Sequence, residues 1–430
     1  MKERVVITGL GVVAPNGVGL AAFNAAIRAG QSGIRYHQVL EDMKFSCRIA
    51  GWPEVPEALK TEYLTPLQLR NFLSTGILYG CMAGIDAWRD AGLDVETDEP
   101  RWETGMVFGA GNSSVDKMRE AAYRLDAGKV KRLGSTTVPQ IMVSGVSAYL
   151  GGLLGLGNQV TTNSSACTTG TESILMAYER IRSGQAQRML AGSSSDAGPY
   201  IWGGFDAMKV MNYRHNETPE QASRPLSATA AGFVPGAGAG ALVLESLSSA
   251  QARGARIYAE VLGGAANSGG QRQGGTMTAP NPVAVQRCIQ TALDNAGVKP
   301  AEVDIINGHL TATTKDPDEV ANWATVLGRS GKDFPYLHSL KGMIGHCISA
   351  AGAIESVAAV LGLHEGFVFP SVNSDDLHPE IAKYVDRSRI PLQTVAAPEA
   401  TVVAKAGFGF GDVNACVLFR KYLNYLPGLG

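Results

Sequence analysis

The chain has 430 residues, 45% of them hydrophobic and 18% charged, enough to bury one large core or two fused ones and ordinary for a globular enzyme. A formal net charge of −2 gives no case for a nucleic-acid partner, and no uninterrupted apolar run reaches membrane-spanning length. The opening Met1-Lys2-Glu3-Arg4 passes straight into a strand-like segment without a signal-peptide core, and six cysteines without a C-x-x-C pair read as reduced thiols. A cytoplasmic protein without membrane insertion is expected.

Strand-like segments at 4–7, 106–108, 188–191 and 240–244 alternate with helical stretches in the first half of the chain. A charged, alanine-rich crossing at 246–256 marks a boundary, which gives an N-terminal half of residues 1–250 and a C-terminal half of 251–430. The second half repeats the alternation, with 257–262, a helix near 283–296, a strand at 303–306, a helix after His346, then 402–404 and 415–419. This pattern predicts an α/β fold with mainly parallel strands.

Two glycine-rich segments need an account. Gly9-Leu10-Gly11-Val12-Val13-Ala14 matches G-x-G-x-x-A, but Pro15-Asn16-Gly17 predicts a turn where a dinucleotide fold continues into a helix, and the acidic residue expected further on is missing. Gly236-Ala237-Gly238-Ala239-Gly240 lacks the Lys-Ser or Lys-Thr of a phosphate-binding loop. Close backbone packing is the expectation for both, with no bound cofactor.

Chemistry concentrates in three places. In Asn163-Ser164-Ser165-Ala166-Cys167-Thr168-Thr169-Gly170, small residues end an extended run, and Ile174, Ala177, Tyr178 and Ile181 then recur at helical spacing. Cys167 thus falls near a first helical turn, where free N–H groups and the helix dipole favour a thiolate. His309 ends the apolar stretch Val303-Asp304-Ile305-Ile306-Asn307-Gly308 and opens a hydroxyl-rich loop. His346 lies just ahead of a helix marked by Ile354, Val357, Ala358 and Leu361, with Lys341 five residues before it and Glu355 nine after. Cys47, Cys81, Cys288, Cys347 and Cys416 read as packing residues, and no metal is expected.

Taken in order with Arg4-Val5-Val6-Ile7-Thr8-Gly9, Phe205-Asp206-Ala207-Met208, Thr218-Pro219-Glu220 and Gly407-Phe408-Gly409-Phe410-Gly411, these segments resemble a β-ketoacyl-acyl carrier protein synthase of the elongating, Cys-His-His kind. The resemblance covers nearly the whole chain. It implies a thiolase-like α/β fold of two similarly folded halves in five layers, and decarboxylating condensation of an acyl chain with a malonyl group carried on acyl carrier protein. Cys167 would be the nucleophile, and the N–H groups of Cys167 and Phe410 an oxyanion hole. His309 and His346 would hold the enolate oxygen, Lys341 would tune His309, and Glu355 would orient its neighbours. Thr311 and Thr313 match hydroxyls that bind the phosphopantetheine arm, Asn112 lies near the acyl tunnel, and Phe205 and Phe408 join the substrate-binding set. Lys131, Arg132 and Lys209 occupy positions of basic carrier-docking residues. The resemblance further implies a homodimer, with a heterodimer formed with a chain-length subunit as the alternative.

Several residues depart from the family pattern. Leu310 and Ala312 stand in a segment that usually reads His-Gly-Thr-Ser-Thr, and Asp316-Pro317-Asp318-Glu319 fits only after a one-residue shift. Asp412-Val413 replaces a common Gly-Thr, and Ser227-Ala228-Thr229-Ala230-Ala231 lacks the usual charged residues. Rival readings fail on single residues: an initiating synthase would carry Asn at His346, a thiolase a second reactive cysteine, and a non-catalytic chain-length subunit no nucleophile. The departures leave both fatty-acid elongation and a dedicated polyene or polyketide pathway open.

Overall fold

The computed structural model describes residues 3–423, so Met1 and Lys2 of the opening segment and the last seven positions of the second half lie outside it. Besides short strands at Gly17–Val18, Ile34–Tyr36, Ile49–Gly51, Phe367–Val368 and Val395–Ala396, the main sheet runs in the first half through β1 (Val5–Ala14), β2 (Thr104–Ala110), β3 (Val160–Thr161), β4 (Arg188–Ser195) and β5 (Gly238–Ser246). In the second its strands are β6 (Ala259–Ser268), β7 (Ile305–Asn307), β8 (Tyr336–His338), β9 (Val402–Gly409) and β10 (Val413–Lys421). They line up as β3-β2-β4-β5-β1 followed by β6-β10-β9-β7-β8. Each half therefore has its third, second, fourth, fifth and first strands in that spatial order. The strand senses agree as well: the second strand is parallel to both its neighbours, and the remaining pairs within each half are antiparallel.

This corrects the expectation of a mainly parallel sheet. β9 and β10 are joined by only Phe410, Gly411 and Asp412, and a connection that short can link strands only antiparallel. The two halves meet where Val5, Val6 and Ile7 pair antiparallel with Val261, Glu260 and Ala259.

Helices repeat in the same way. α1 (Thr75–Asp90), α2 (Val115–Asp126) and α3 (Thr169–Arg182) follow the first, second and third strands of the first half, and α4 (Pro282–Ala296), α5 (Asp316–Leu327) and α6 (Ala351–Glu365) do so in the second. Local chemistry sets their ends: Ser74 accepts the Ile77 N–H at the start of α1, and Asn281 accepts from Val283 and Ala284 ahead of α4, which stops at Gly297 in the left-handed region. α6 is buried continuously from Ala351 to Leu363, as a helix without a polar face must be.

Both α3 and α6 pack on strands of both halves, while α1 covers the outer face of the first half and α4 that of the second. The result is five layers: helices, sheet, helices, sheet, helices. Three apolar clusters fill the spaces, with Val5, Ile7, Ile174, Ile354, Val357 and Val417 in the central one.

The glycine motifs serve this packing. A Cβ on Gly11 would lie 2.0 Å from the Ala83 carbonyl oxygen of α1, and one on Gly9 2.1 Å from that of Ala87. Pro15 and Asn16 form the predicted turn, with Ala14 opposite Gly17. In the middle layer, Gly170 and Gly352 let α3 and α6 cross backbone to backbone, since a Cβ on Gly170 would meet the Ala353 nitrogen at 2.4 Å.

Candidate active site

The repeat places two like turns side by side at the starts of the central helices. Ala166–Thr168 forms a 3-10 turn into α3, and Ile348–Ala350 forms one into α6. Ala166 and Ile348 both take positive φ, 51° and 50°, unusual for residues bearing a Cβ and more so for branched Ile348. Cys167 follows the first and Ser349 the second, whose hydroxyl donates to the Ser194 carbonyl at 2.8 Å. Each first-turn side chain is thereby aimed at the other half.

The structure brings Cys167, His309 and His346 together, with Sγ and a nitrogen of each ring within 4.8 Å of one another. His346 Nε2 lies 3.1 Å from Cys167 Sγ. The Ile348 N–H donates to His346 Nδ1 at 3.2 Å, so the ring proton belongs to Nε2 and that nitrogen donates toward the sulfur. The two imidazoles meet edge to face, their centroids 5.3 Å apart. Burial, with the Lys341 charge next, holds both rings well below the usual histidine range, so both are neutral donors.

The expectation of a helix-end thiolate needs correction. Burial pushes the Cys167 thiol up to about 11, although the Lys341 charge and the Phe410 N–H pull it down. Cys167 follows a tight turn at the floor of a pocket, and loss of water there outweighs the dipole of a helix that begins two residues later. Its own N–H and that of Phe410 favour negative charge on the sulfur. Gly409 lets the two segments approach, because a Cβ there would lie 3.1 Å from the Cys167 nitrogen. Gly411, at φ 92°, turns the chain behind Phe410.

Beneath the histidines lies a charge cluster. Lys341 pairs with Glu355 Oε1, and Lys405 Nζ lies 2.8 Å from Glu355 Oε2; all three side chains are 1% exposed. Lys405 had no place in the sequence reading. Its signal is a single charged residue inside the apolar and small run Val402-Val403-Ala404-Lys405-Ala406-Gly407-Phe408, which becomes a strand buried along its length.

The His309 loop shows how the departures are accommodated. Glu319 accepts the His309 and Leu310 N–H groups, each at 2.7 Å, and Asp316 accepts those of Thr311 at 2.9 Å and Ala312 at 3.2 Å. The shifted acidic pair thus binds the loop directly. Leu310 and Ala312 adopt φ of 24° and 61°, and the Leu310 side chain fills the outer core of the second half. Asp412 is also left-handed and buried, and its carboxylate accepts from Asn281 at 2.8 Å and Gln271 at 2.9 Å, tying the strand-turning loop behind Phe410 to the start of α4.

A cavity of about 620 Å³ opens onto this centre, lined by Cys167, His309, His346, Phe205, Phe408, Phe410, Thr311, Thr313 and Asn112. Phe410 packs on Phe205, Phe205 on Phe233 and Phe233 on His346, with centroids 5.9, 5.6 and 5.5 Å apart, which makes one wall aromatic. The Thr311 and Thr313 hydroxyls lie 3.1 Å apart. Asn112 lines the cavity from an exposed position. Lys131 and Arg132, on the turn Val130–Arg132, and Lys209, beyond the helix Pro199–Ala207, are exposed and do not line it. The other five cysteines are buried. Among the described residues, no helix is long and apolar enough to cross a membrane.

A thiol beside two neutral imidazole donors at the end of a largely apolar cavity, with the Cys167 and Phe410 N–H groups favouring charge on the sulfur, suits acyl transfer. Comparison with known proteins agrees. Residues 2–250 match the N-terminal and residues 258–375 the C-terminal domain of the beta-ketoacyl synthase family, and the chain belongs to that family. It is a condensing acyltransferase with a thiolase-like fold. It is 33% identical to the 3-oxoacyl-[acyl-carrier-protein] synthase 2 of Rhizobium meliloti, over 98% of this chain and 100% of the relative. With synthase 1 of Escherichia coli the identity is also 33%, over 97% and 99%. Among solved structures, the ishigamide ketosynthase/chain length factor superposes with a TM-score of 0.87 at 29% identity, covering 98% of this chain and 100% of that one. A type II polyketide ketosynthase, solved in complex with its acyl-carrier protein and bound to the hexaketide, gives 0.86 at 30%, with the same coverage.

Proposed function

We propose that the protein joins an acyl chain held on Cys167 to malonyl-acyl carrier protein, giving 3-oxoacyl-acyl carrier protein and carbon dioxide. The observation that carries this reading is the donation of His346 Nε2–H to Cys167 Sγ with His309 alongside. In the first half-reaction the Cys167 sulfur, losing its proton, attacks the acyl thioester. The new S–C bond replaces the carrier's S–C bond, the carrier thiol leaves, and the Cys167 and Phe410 N–H groups hold the transient oxyanion.

In the second half-reaction the malonyl C–C bond breaks, carbon dioxide departs and the electron pair becomes an enolate. His309 and His346 donate to its oxygen. The enolate carbon then attacks the acyl-Cys167 carbonyl, and the sulfur leaves. His346 is a donor here and not the base, because Nδ1 is engaged by the Ile348 N–H.

Substrates arrive on the phosphopantetheine arm of acyl carrier protein, with Thr311 and Thr313 beside the arm, Phe205, Phe408 and Asn112 around the acyl chain, and no further cofactor or metal. Lys131, Arg132 and Lys209 offer exposed positive charge to an acidic carrier. We assign residues 1–250 and 251–430 as the two ketosynthase halves of a cytoplasmic homodimer. Pairing with a chain-length subunit is the second reading, favoured by the likeness to the ishigamide ketosynthase/chain length factor.

The test is Cys167→Ala, incubated with acyl and malonyl carriers. Condensation and the acyl adduct seen by intact mass should both vanish; ketoacyl product from this variant would remove Cys167 as the nucleophile. Cys167→Gln should stop transfer while malonyl decarboxylation persists.

A further inference from the structure

A salt bridge between Lys341 and Glu355 would by itself be neutral. Lys405 makes it a cluster of two ammonium groups around one carboxylate, with Lys405 and Lys341 on opposite oxygens of Glu355. Burying a second ammonium group is costly, and Glu355 already has a partner, so Lys405 adds a charge that Glu355 does not neutralise. The position also has a direction. Lys405 pairs in register with Asn307, two residues before His309, and β9 continues from it into Phe408 and the Phe410 turn. Lys405 thus lies between the two segments that deliver His309 and the Phe410 N–H, and its charge acts on both histidines.

We propose that Lys405 is a positioning residue that gives the buried cluster one excess positive charge beside the strand leading to His309, favouring the enolate formed at the two histidines. The enolate part rests on the condensation reading. Cys167 faces His346 from the turn before α3, Lys341 acts on both histidines and is paired with Glu355 of α6, and Glu319 and Asp316 of α5 hold the His309 loop; His338 of β8 is also under the Lys405 charge. Lys405→Met replaces none of these groups, fills similar volume and leaves Lys341 paired with Glu355.

The experiment is an NMR titration of side-chain-labelled histidine in the full chain, with malonyl-carrier decarboxylation measured against pH in parallel. Lys405→Met should raise the His309 and His346 midpoints by roughly one pH unit. The acidic limb of decarboxylation should move up with them, and the plateau rate should fall about tenfold. The double variant Glu355→Gln/Lys405→Met leaves Lys341 as the sole charge, restores the excess of one, and should return the midpoints toward wild type. Unchanged midpoints in Lys405→Met, or a double variant further from wild type than the single, would overturn the proposal. So would failure of both variants to fold, which would make Lys405 a residue of the fold alone. The titration needs no substrate. A wild-type protein unable to decarboxylate malonyl carrier would therefore sink the condensation reading, while the midpoints still decided the role of Lys405.

Discussion

His346 points its Nε2–H at Cys167 Sγ because the backbone two residues later, at Ile348, occupies Nδ1. One peptide N–H thereby sets both the tautomer and the direction of the bond. Replacing His346 with Ala removes a donor from the enolate oxygen and spares the Cys167 and Phe410 N–H groups used in transfer. Malonyl decarboxylation should drop about 10²–10³-fold, the usual cost of one oxyanion donor. Acylation of Cys167 by a small thioester should drop much less, and equal losses in the two assays would contradict the division of labour.

Stability should carry the mark of Glu319. Burial pushes this carboxyl from 4.5 up to about 7 despite the two N–H groups it accepts. A group whose folded pKa lies above its unfolded one binds its proton more tightly in the native state, so its contribution to stability is full below the unfolded pKa and declines as pH rises from 4.5 through about 7. The span corresponds to order 3 kcal/mol at most. Glu319→Gln should flatten that part of the stability-against-pH curve in urea melts. A slope equal to that of wild type would place the titration elsewhere.

Acyl selection is testable at Asn112, whose exposed side chain borders the cavity. A polar amide there should disfavour a simple saturated chain. Asn112→Ile should shift the preferred acyl length or polarity, read as relative kcat/KM across an acyl-carrier series. An unchanged product profile would remove the residue from the acyl path.

Carrier docking predicts a salt effect. Reversing charge at Lys131 and Lys209 to Glu should raise KM for carrier-bound substrate and flatten its salt dependence, because exposed charges act over roughly 10 Å near 0.1 M salt. Cys167 acylation by a carrier-free thioester should be spared. Equal impairment with both substrates would point to damaged folding and end the docking assignment.

The meeting of Cys167, His309 and His346 was legible because each stands beside a recognisable strand or helix within a segment that resembles the ketosynthase family, and the structure brings the three together. Lys405 was not, since a lysine in a strand ordinarily reads as a solvent-facing residue, and only the layer above β9 makes it buried. β8 also escaped notice, because a strand of three residues is too short to show alternation. The sense of the strands was misjudged for a related reason. Alternating strands and helices signal parallel pairing, but β5 and β10 close each half by returning alongside their predecessors. The burial that raises the Cys167 thiol was invisible as well, since it depends on what closes over the residue and not on its neighbours in the chain.

The symmetric seam has a mechanical consequence. The sulfur is delivered by one half and both imidazoles by the other, across a seam tied by Val5–Ile7 against Ala259–Val261, by α3 on α6 through glycine, and by the His346 backbone, whose N–H donates to the Val234 carbonyl at 2.7 Å and whose carbonyl accepts from Gly236 at 2.8 Å. Loosening of this seam would leave the helices and strands of each half intact and still lengthen the 3.1 Å contact between Cys167 and His346. Heating should therefore silence the enzyme before it melts, with rate lost at temperatures where circular dichroism still reads fully folded.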